Sequence, residues 1–239
     1  MSILFISDVH LCHQKHSITA GFLYFLRTRA IHASALYILG DLFDIWIGDD
    51  DPNPLNNIIS SALKELRQYG IPCYFIHGNH DFLIDKHHAA AYGMILLPSQ
   101  RILQFNGHRI IILHGDTLCT NDISYQNFRR KIHQRWLQKL FLDLPFCIRK
   151  KITGMIRAKS INGHSIKTTK NFDVNLQTVM SLMMHTNTSV MIHGHTHQPA
   201  IHYLPGNRLR VVLGAWNQQG SVIEVNEKNV TLFDFTFFD

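Results

Sequence analysis

Carboxylates, imidazoles and one carboxamide recur in five short groups along this chain. They are Asp8-Val9-His10, Gly40-Asp41, Gly78-Asn79-His80-Asp81, His114-Gly115-Asp116 and His193-Gly194-His195-Thr196-His197. Each group follows an apolar run, so folding can gather them at one place. A mixed oxygen and nitrogen donor set suits Mn²⁺, Fe²⁺ or Zn²⁺ better than Ca²⁺. The lack of thiolates argues against a structural zinc site. A carboxylate has two oxygens and can bridge two ions, and Asp41 is the natural bridge. Two ions about 3.5–4 Å apart clamp the oxygens of a phosphoryl group and lower the pKa of a bound water. Asp8 and His10 stand two residues apart, as do His195 and His197, and in extended chain such a pair points the same way. The chemistry expected is therefore two-metal hydrolysis at phosphorus. A lone strand-end His is usually a hydrogen-bonded surface residue. His13, His16, His32, His87, His88, His108, His133, His185 and His202 fit no group and are read that way.

The elements that must position these groups are legible in outline. Residues 3–6, 35–39 and 73–76 read as buried strands. Apolar residues at helical spacing predict helices over 17–31 and about 55–69, the second stopped by Gly70 with Pro72 beyond it. Strand–helix–strand alternation implies parallel βαβ units. Residues 102–105 and 109–113 read as strands around Asn106-Gly107, a hairpin signal. Residues 123–170 are helical in pattern, interrupted at Pro145 and Gly154, and 172–185 predict a further helix. Residue runs 189–192, 201–204, 209–213, 221–225 and 230–236 read as strands. The expected fold class is α/β (α+β): two packed mixed sheets with helices outside. A core of 1–122 and 171–239 would carry a helical insertion at 123–170. In open α/β sheets, ligands sit beyond the carboxyl ends of strands.

Composition narrows the class. The chain has 239 residues, 46% of them hydrophobic, and a net charge of +6. A packed core is expected and disorder is not. No uninterrupted apolar run approaches the roughly 18 residues of a spanning helix, and no signal-like start is present. Cys12, Cys73, Cys119 and Cys147 form no C-x-x-C pair, which fits reduced thiols in the cytosol. Twelve of the 23 Lys and Arg fall in 129–170, where Asp143 is the one acid. An anionic partner at that segment is expected.

Taken together, the five groups resemble those of the calcineurin-like binuclear metallophosphoesterases. That resemblance covers nearly the whole chain and implies a four-layer αββα sandwich. It implies one ion held by Asp8, His10, Asp41 and His197, and a second by Asp41, Asn79, His114 and His195. Catalytic roles would fall to His80, Asp41 and His114. A narrower stretch, His114-Gly115-Asp116-Thr117-Leu118-Cys119-Thr120-Asn121-Asp122 followed by Tyr125-Gln126-x-Phe128-Arg129, is similar to the UDP-2,3-diacylglucosamine pyrophosphatase family of lipid A biosynthesis. Asp41-Leu42-Phe43-Asp44-x-Trp46-x-Gly48-Asp49-Asp50 and Asp81-Phe82-Leu83 are similar too.

The narrower resemblance implies two Mn²⁺, an acylated UDP-sugar substrate, and a helical cap at the basic segment. It also implies a peripheral place on the cytoplasmic face of the inner membrane, with no nucleic-acid partner. Asn79, His80, Asp122, Ser160, His164, Lys167 and His195 would contact substrate. Three positions depart from that family: His80 stands in place of Arg, Asn121 in place of Asp and His164 in place of Asn. A His can hydrogen-bond a phosphate oxygen or act as a general acid, though it cannot form a bidentate guanidinium pair. In the basic segment, Phe128, Ile132, Trp136, Leu140, Phe141, Phe146, Ile152, Met155 and Ile156 interleave with Lys and Arg. They are candidates for an acyl slot and a membrane-facing surface. Two other readings stay open on the residues alone: another metallophosphoesterase acting on small phosphodiesters, and a non-catalytic module on the same fold.

Overall fold

All four residues of the first strand, Ile3–Ile6 (β1), are buried, because the strand is covered on both faces. Leu4 and Ile6 join one apolar cluster while Ile3 and Phe5 join another. Alternation of successive side chains makes that division. The computed structural model describes residues 2–164 and 173–237 and, over 159–164, the helical backbone alone. Ala35–Ile38 (β2) and Cys73–Phe75 (β3) repeat the division, with Leu36, Ile38, Cys73 and Phe75 on the first face.

Met94–Leu96 (β4) continues the parallel run β1-β2-β3-β4. Gln219–Val225 (β10) and Val230–Thr236 (β11) complete this six-stranded sheet on the antiparallel side, in the order β11-β10-β1-β2-β3-β4. The second sheet contains Gln100–Phe105 (β5), His108–Leu113 (β6), Val190–His193 (β7), Ala200–Leu204 (β8) and Arg208–Val212 (β9), in the order β5-β6-β7-β9-β8. Its central strands β6, β7 and β9 are parallel. Ile110, Ile112, Val190, Ile192 and Val211 meet Ile3, Phe5 and Ile223 between the sheets.

The helices are His16–Thr28 (α1), Pro54–Gln68 (α2), Lys86–Ala91 (α3), Ile123–Ile132 (α4), Arg135–Leu142 (α5), Phe146–His164 (α6) and Leu176–His185 (α7). Phe22 and Phe25 of α1 and Ile59 and Leu63 of α2 cover the first sheet. Val179 and Met183 of α7 cover the second. The result is the four-layer αββα sandwich with two mixed sheets. Local chemistry sets the helix ends. The Asn53 side chain accepts from Leu55 N–H at 3.1 Å, Pro54 begins α2 where no N–H is needed, and Gly70 at φ 81° ends it.

Several expectations are corrected. Helix α3 and strand β4 are unforeseen; α3 is six residues and β4 three, too short for a periodic signal. Gly154 does not interrupt its helix, which runs from Phe146 to His164. A helical Gly costs about 1 kcal/mol but forces no break. The break besides Pro145 lies at His133-Gln134. The helix expected from 172 begins at Leu176, behind an Asn175 cap that accepts from Gln177 and Thr178 N–H. Residue 172 lies outside the described residues. Among the described residues no helix is long and apolar enough to cross a membrane.

Candidate metal centre

Strands β1, β2, β3, β6 and β7 deliver the five groups to one edge of the sandwich. Main-chain bonds then knit the loops together: Asp8 N–H to Gly40 O at 3.1 Å, His10 N–H to Asp41 O at 3.0 Å and Gly194 N–H to His114 O at 2.8 Å. The backbone here is not extended. Asp8, His10, Asp41, His195 and His197 have φ of 55°, 51°, 54°, 68° and 56°. The other described non-glycine residues with positive φ are Asn106, Asn187 and Asn207, all in turns. A left-handed residue costs on the order of 1–2 kcal/mol, and such residues persist where the surroundings over-determine them. The Asp-x-His and His-x-His pairs thus face one another through coiled loops, which corrects the extended-chain expectation.

Each carboxylate has one oxygen tied to backbone and one turned inward. His195 N–H donates to Asp8 Oδ2 at 3.0 Å, leaving Oδ1 3.1 Å from His197 Nε2. His80 N–H donates to Asp41 Oδ1 at 2.9 Å. Asp41 Oδ2 then faces His114 Nε2 at 3.7 Å, His10 Nε2 at 3.9 Å and His80 Nε2 at 3.9 Å. One Asp41 oxygen, rather than both, addresses all three imidazoles. The approach leaves no room for side chains: a Cβ on Gly78 would lie 2.0 Å from Asp41 Oδ1, and one on Gly194 2.2 Å from Asp8 Oδ2.

The imidazoles are oriented from behind. His114 Nδ1–H donates to Leu39 O at 2.8 Å and His80 Nδ1–H to Asp44 O at 2.6 Å, so both Nε2 atoms face inward, and in the neutral ring that atom carries the lone pair. Such carbonyl partners fix the tautomer of metal-binding histidines. Asn79 Oδ1 lies 3.0 Å from His114 Nε2 and 2.9 Å from His195 Nδ1. His10 Nε2 and His197 Nε2 are 3.4 Å apart.

Two sets therefore meet at Asp41: Asp8, His10 and His197 on one side, Asn79, His114 and His195 on the other. Donor atoms of Asp8, His10 and His197, of Asp8, Asp41 and His114, and of His10, Asp41 and His80 converge closely enough to hold an ion. Acceptor-rich side chains turned on one another this way fit cations placed between them.

Electrostatics favour the same occupant. Burial pushes His10 down to about 3, and burial with the nearby His114 charge pushes His195 to about 3. Both are neutral at ordinary pH, as a metal-binding imidazole must be. Burial alone would lower His114, yet the Asp41, Asp8 and Asp116 carboxylates raise it to about 9. Burial raises Asp41. Burial opposes ionisation of Asp8 too, but its His197 hydrogen bond and the His114 and His197 charges hold it below the ordinary range. The centre draws positive charge.

Supporting residues without a role in the sequence reading also emerge. Asp81 is fully buried and accepts from Gly78 N–H and Leu42 N–H, each at 2.8 Å, pinning the β3 loop to the β2 loop. Asp116 is buried and accepts from Tyr125 Oη–H at 3.0 Å and from Arg129 Nε–H. Their one visible signal was an acid inside a motif with no ligand role to fill. Of the candidate substrate contacts, Asn79, His80 and His195 line the centre. Asp122 caps α4, accepting from Tyr125 N–H at 3.0 Å. The side chains of Ser160 and His164, and all of Lys167, lie outside the described residues.

The family model for calcineurin-like phosphoesterases matches residues 1–199. UDP-2,3-diacylglucosamine hydrolase of Sodalis glossinidius is 61% identical over 237 residues, covering 99% of each chain. This chain belongs to the UDP-2,3-diacylglucosamine hydrolase family of calcineurin-like phosphoesterases. A family member from Escherichia coli O7:K1 is 52% identical, covering 99% of this chain and all of its own. A solved archaeal phosphodiesterase shares the fold of these phosphoesterases, with a TM-score of 0.50, 10% identity, and coverage of 98% of this chain and 100% of that one.

Proposed function

We propose that this chain hydrolyses the diphosphate of UDP-2,3-diacylglucosamine to UMP and 2,3-diacylglucosamine 1-phosphate, a step of lipid A biosynthesis, with two Mn²⁺. The substrate assignment is carried by the full-length identity of 61% to a relative of that name. The reaction class is supported by the two donor sets that meet at Asp41. Asp8, His10, Asp41 and His197 would hold one ion, and Asp41, Asn79, His114 and His195 the other. When bound, such ions activate water and neutralise charge on phosphorus oxygens.

The chain's own residues supply orientation. Asp41 Oδ2 is kept inward because His80 N–H holds Oδ1. His114 stays aligned through its bond to the Leu39 carbonyl. His80 has Nδ1–H committed to Asp44 O, so Nε2 is the atom that meets a phosphate oxygen or the leaving group. Water attacks the α-phosphorus, on the uridine side, as the family resemblance implies. Asp122, Ser160, His164 and Lys167 would bind substrate beside Asn79, His80 and His195.

Residues 123–170 would act as the cap over the acylated sugar. Its helices leave Phe128, Trp136, Leu140, Met155 and Ile156 exposed among Lys and Arg. That mixture suits acyl chains and an anionic lipid surface, and it supports the reading of a peripheral enzyme on the cytoplasmic face of the inner membrane. The test is product analysis with Mn²⁺ and the diacylated UDP-sugar. UMP and the acylated sugar phosphate are expected in equal amounts. Intact substrate at high enzyme, with turnover of small phosphodiesters, would favour a different phosphoesterase.

A further inference from the structure

Helices α4, α5 and α6 rest on the core with almost no apolar anchor. Among their described side chains, Arg149 alone is buried, 2% exposed. Three arginines instead grip three aspartates. Arg129 donates to Asp116, Arg149 to Asp50, and Arg157 to both oxygens of Asp44 at 2.5 and 3.3 Å. Asp44 and Asp50 lie on the loop leaving β2 and Asp116 on the loop leaving β6, the loops that begin with Asp41 and His114. The seam itself is not closely packed: a cavity of about 210 Å³ separates Leu142 and Arg149 from Trp46 and Leu83.

Arg149 is the most committed of the three. Its Nη1–H also donates to Ile47 O at 2.5 Å, so one guanidinium spans a carbonyl and a carboxylate. Gly48 lets it pass: at φ 141°, a Cβ there would stand 1.9 Å from Arg149 Nη1. The guanidinium is buried while Asp50 is half exposed, so losing Arg149 leaves the buried Ile47 carbonyl without its donor, and losing Asp50 leaves the buried cation without its carboxylate. Exposed apolar side chains supply little to replace it.

We propose that Arg149 is a positioning residue for substrate specificity. It seats the α4–α6 insertion over the centre and so decides how well an acylated substrate is held, without touching the metal ligands. The seating follows from the contacts; its link to acyl binding rests on the function proposed above.

The test uses the full-length Mn²⁺-loaded protein, with Arg149→Met, Arg149→Lys and Asp50→Asn. Amide hydrogen exchange over residues 123–158 reads the seating. Hydrolysis of diacylated UDP-glucosamine and of bis(p-nitrophenyl) phosphate reads the consequence. In Arg149→Met, exchange in the insertion and KM for the acylated substrate should each rise about tenfold or more. Mn²⁺ content and small-diester turnover should stay within about twofold, since the ligand shell is untouched. Arg149→Lys should fall between, because an ammonium lacks the fork that reaches both acceptors. Asp50→Asn, which keeps Arg149 and its bond to Ile47 O, gives the same pattern in smaller measure and serves if Arg149→Met does not fold.

Unchanged exchange and KM would overturn the proposal. So would equal loss on both substrates with loss of Mn²⁺, which would make Arg149 a support of the metal centre. Faster exchange in the variant, with no turnover of the acylated substrate by wild type, would uphold the seating and overturn the substrate reading alone.

Discussion

Asp41 Oδ2 faces three imidazoles while its Oδ1 is held by backbone. Burial raises its pKa, so the carboxylate is costly to keep without cations and valuable with them. Asp41→Asn should bind Mn²⁺ poorly and lose about a thousandfold or more in kcat/KM. Its metal-free form should melt no lower than metal-free wild type, because an amide removes a buried charge. Metal analysis and calorimetry check both halves; normal Mn²⁺ content in the variant would contradict the ligand role. At this scale the sequence was informative about the residues that converge on the centre, because each follows an apolar run and has metal-donor chemistry. It was silent on Asp81 and Asp116. Their hydrogen bonds to Leu42 and to Tyr125 and Arg129 arise only when distant loops meet.

Strands with clear two-faced apolar character were legible, as β1, β2 and β3 illustrate, and so was the Asn106-Gly107 turn, whose two residues have φ of 46° and 81°. What escaped notice lacked period or length: α3, β4, and the passage of α6 through Gly154. The coiled loops escaped too, since Asp and His do not announce left-handed backbone. Strand β7 carries a consequence for pH. Alternation puts His193 on the face of Met191, opposite the one that Ile192 turns between the sheets, and there it is fully buried. Burial lowers its pKa from 6.5 to about 4. The unfolded chain therefore binds the proton more readily between these values. The stability from keeping His193 neutral is complete above about 6.5 and fades as pH falls to about 4, a change on the order of 3 kcal/mol. His193→Leu should flatten that part of the pH–stability curve in urea titrations at pH 7 and 5. A curve as steep as wild type would refute the assignment.

Across the whole molecule, nine strand pairings and three apolar clusters among the described residues hold two sheets so that five loops share one edge. Ions that join those loops bind the folded state alone. At a hundredfold excess over Kd one such ion adds about 2.7 kcal/mol, so chelation should lower Tm by roughly 5–10 °C; an unchanged melting curve would count against a metal centre. The layered fold was readable from the alternation of strand and helix signals. The seating of the insertion was not, because it depends on Arg–Asp pairs between segments up to 113 residues apart. The proposed reaction is hydrolysis at the uridine-side phosphorus by a centre built on Asp41. Turnover of UDP-2,3-diacylglucosamine in ¹⁸O-labelled water with Mn²⁺, followed by mass spectrometry of both products, reports which phosphorus the water attacks. One ¹⁸O in the UMP phosphate is the expected result. Label in the acylated sugar phosphate, or no products at all, would contradict it.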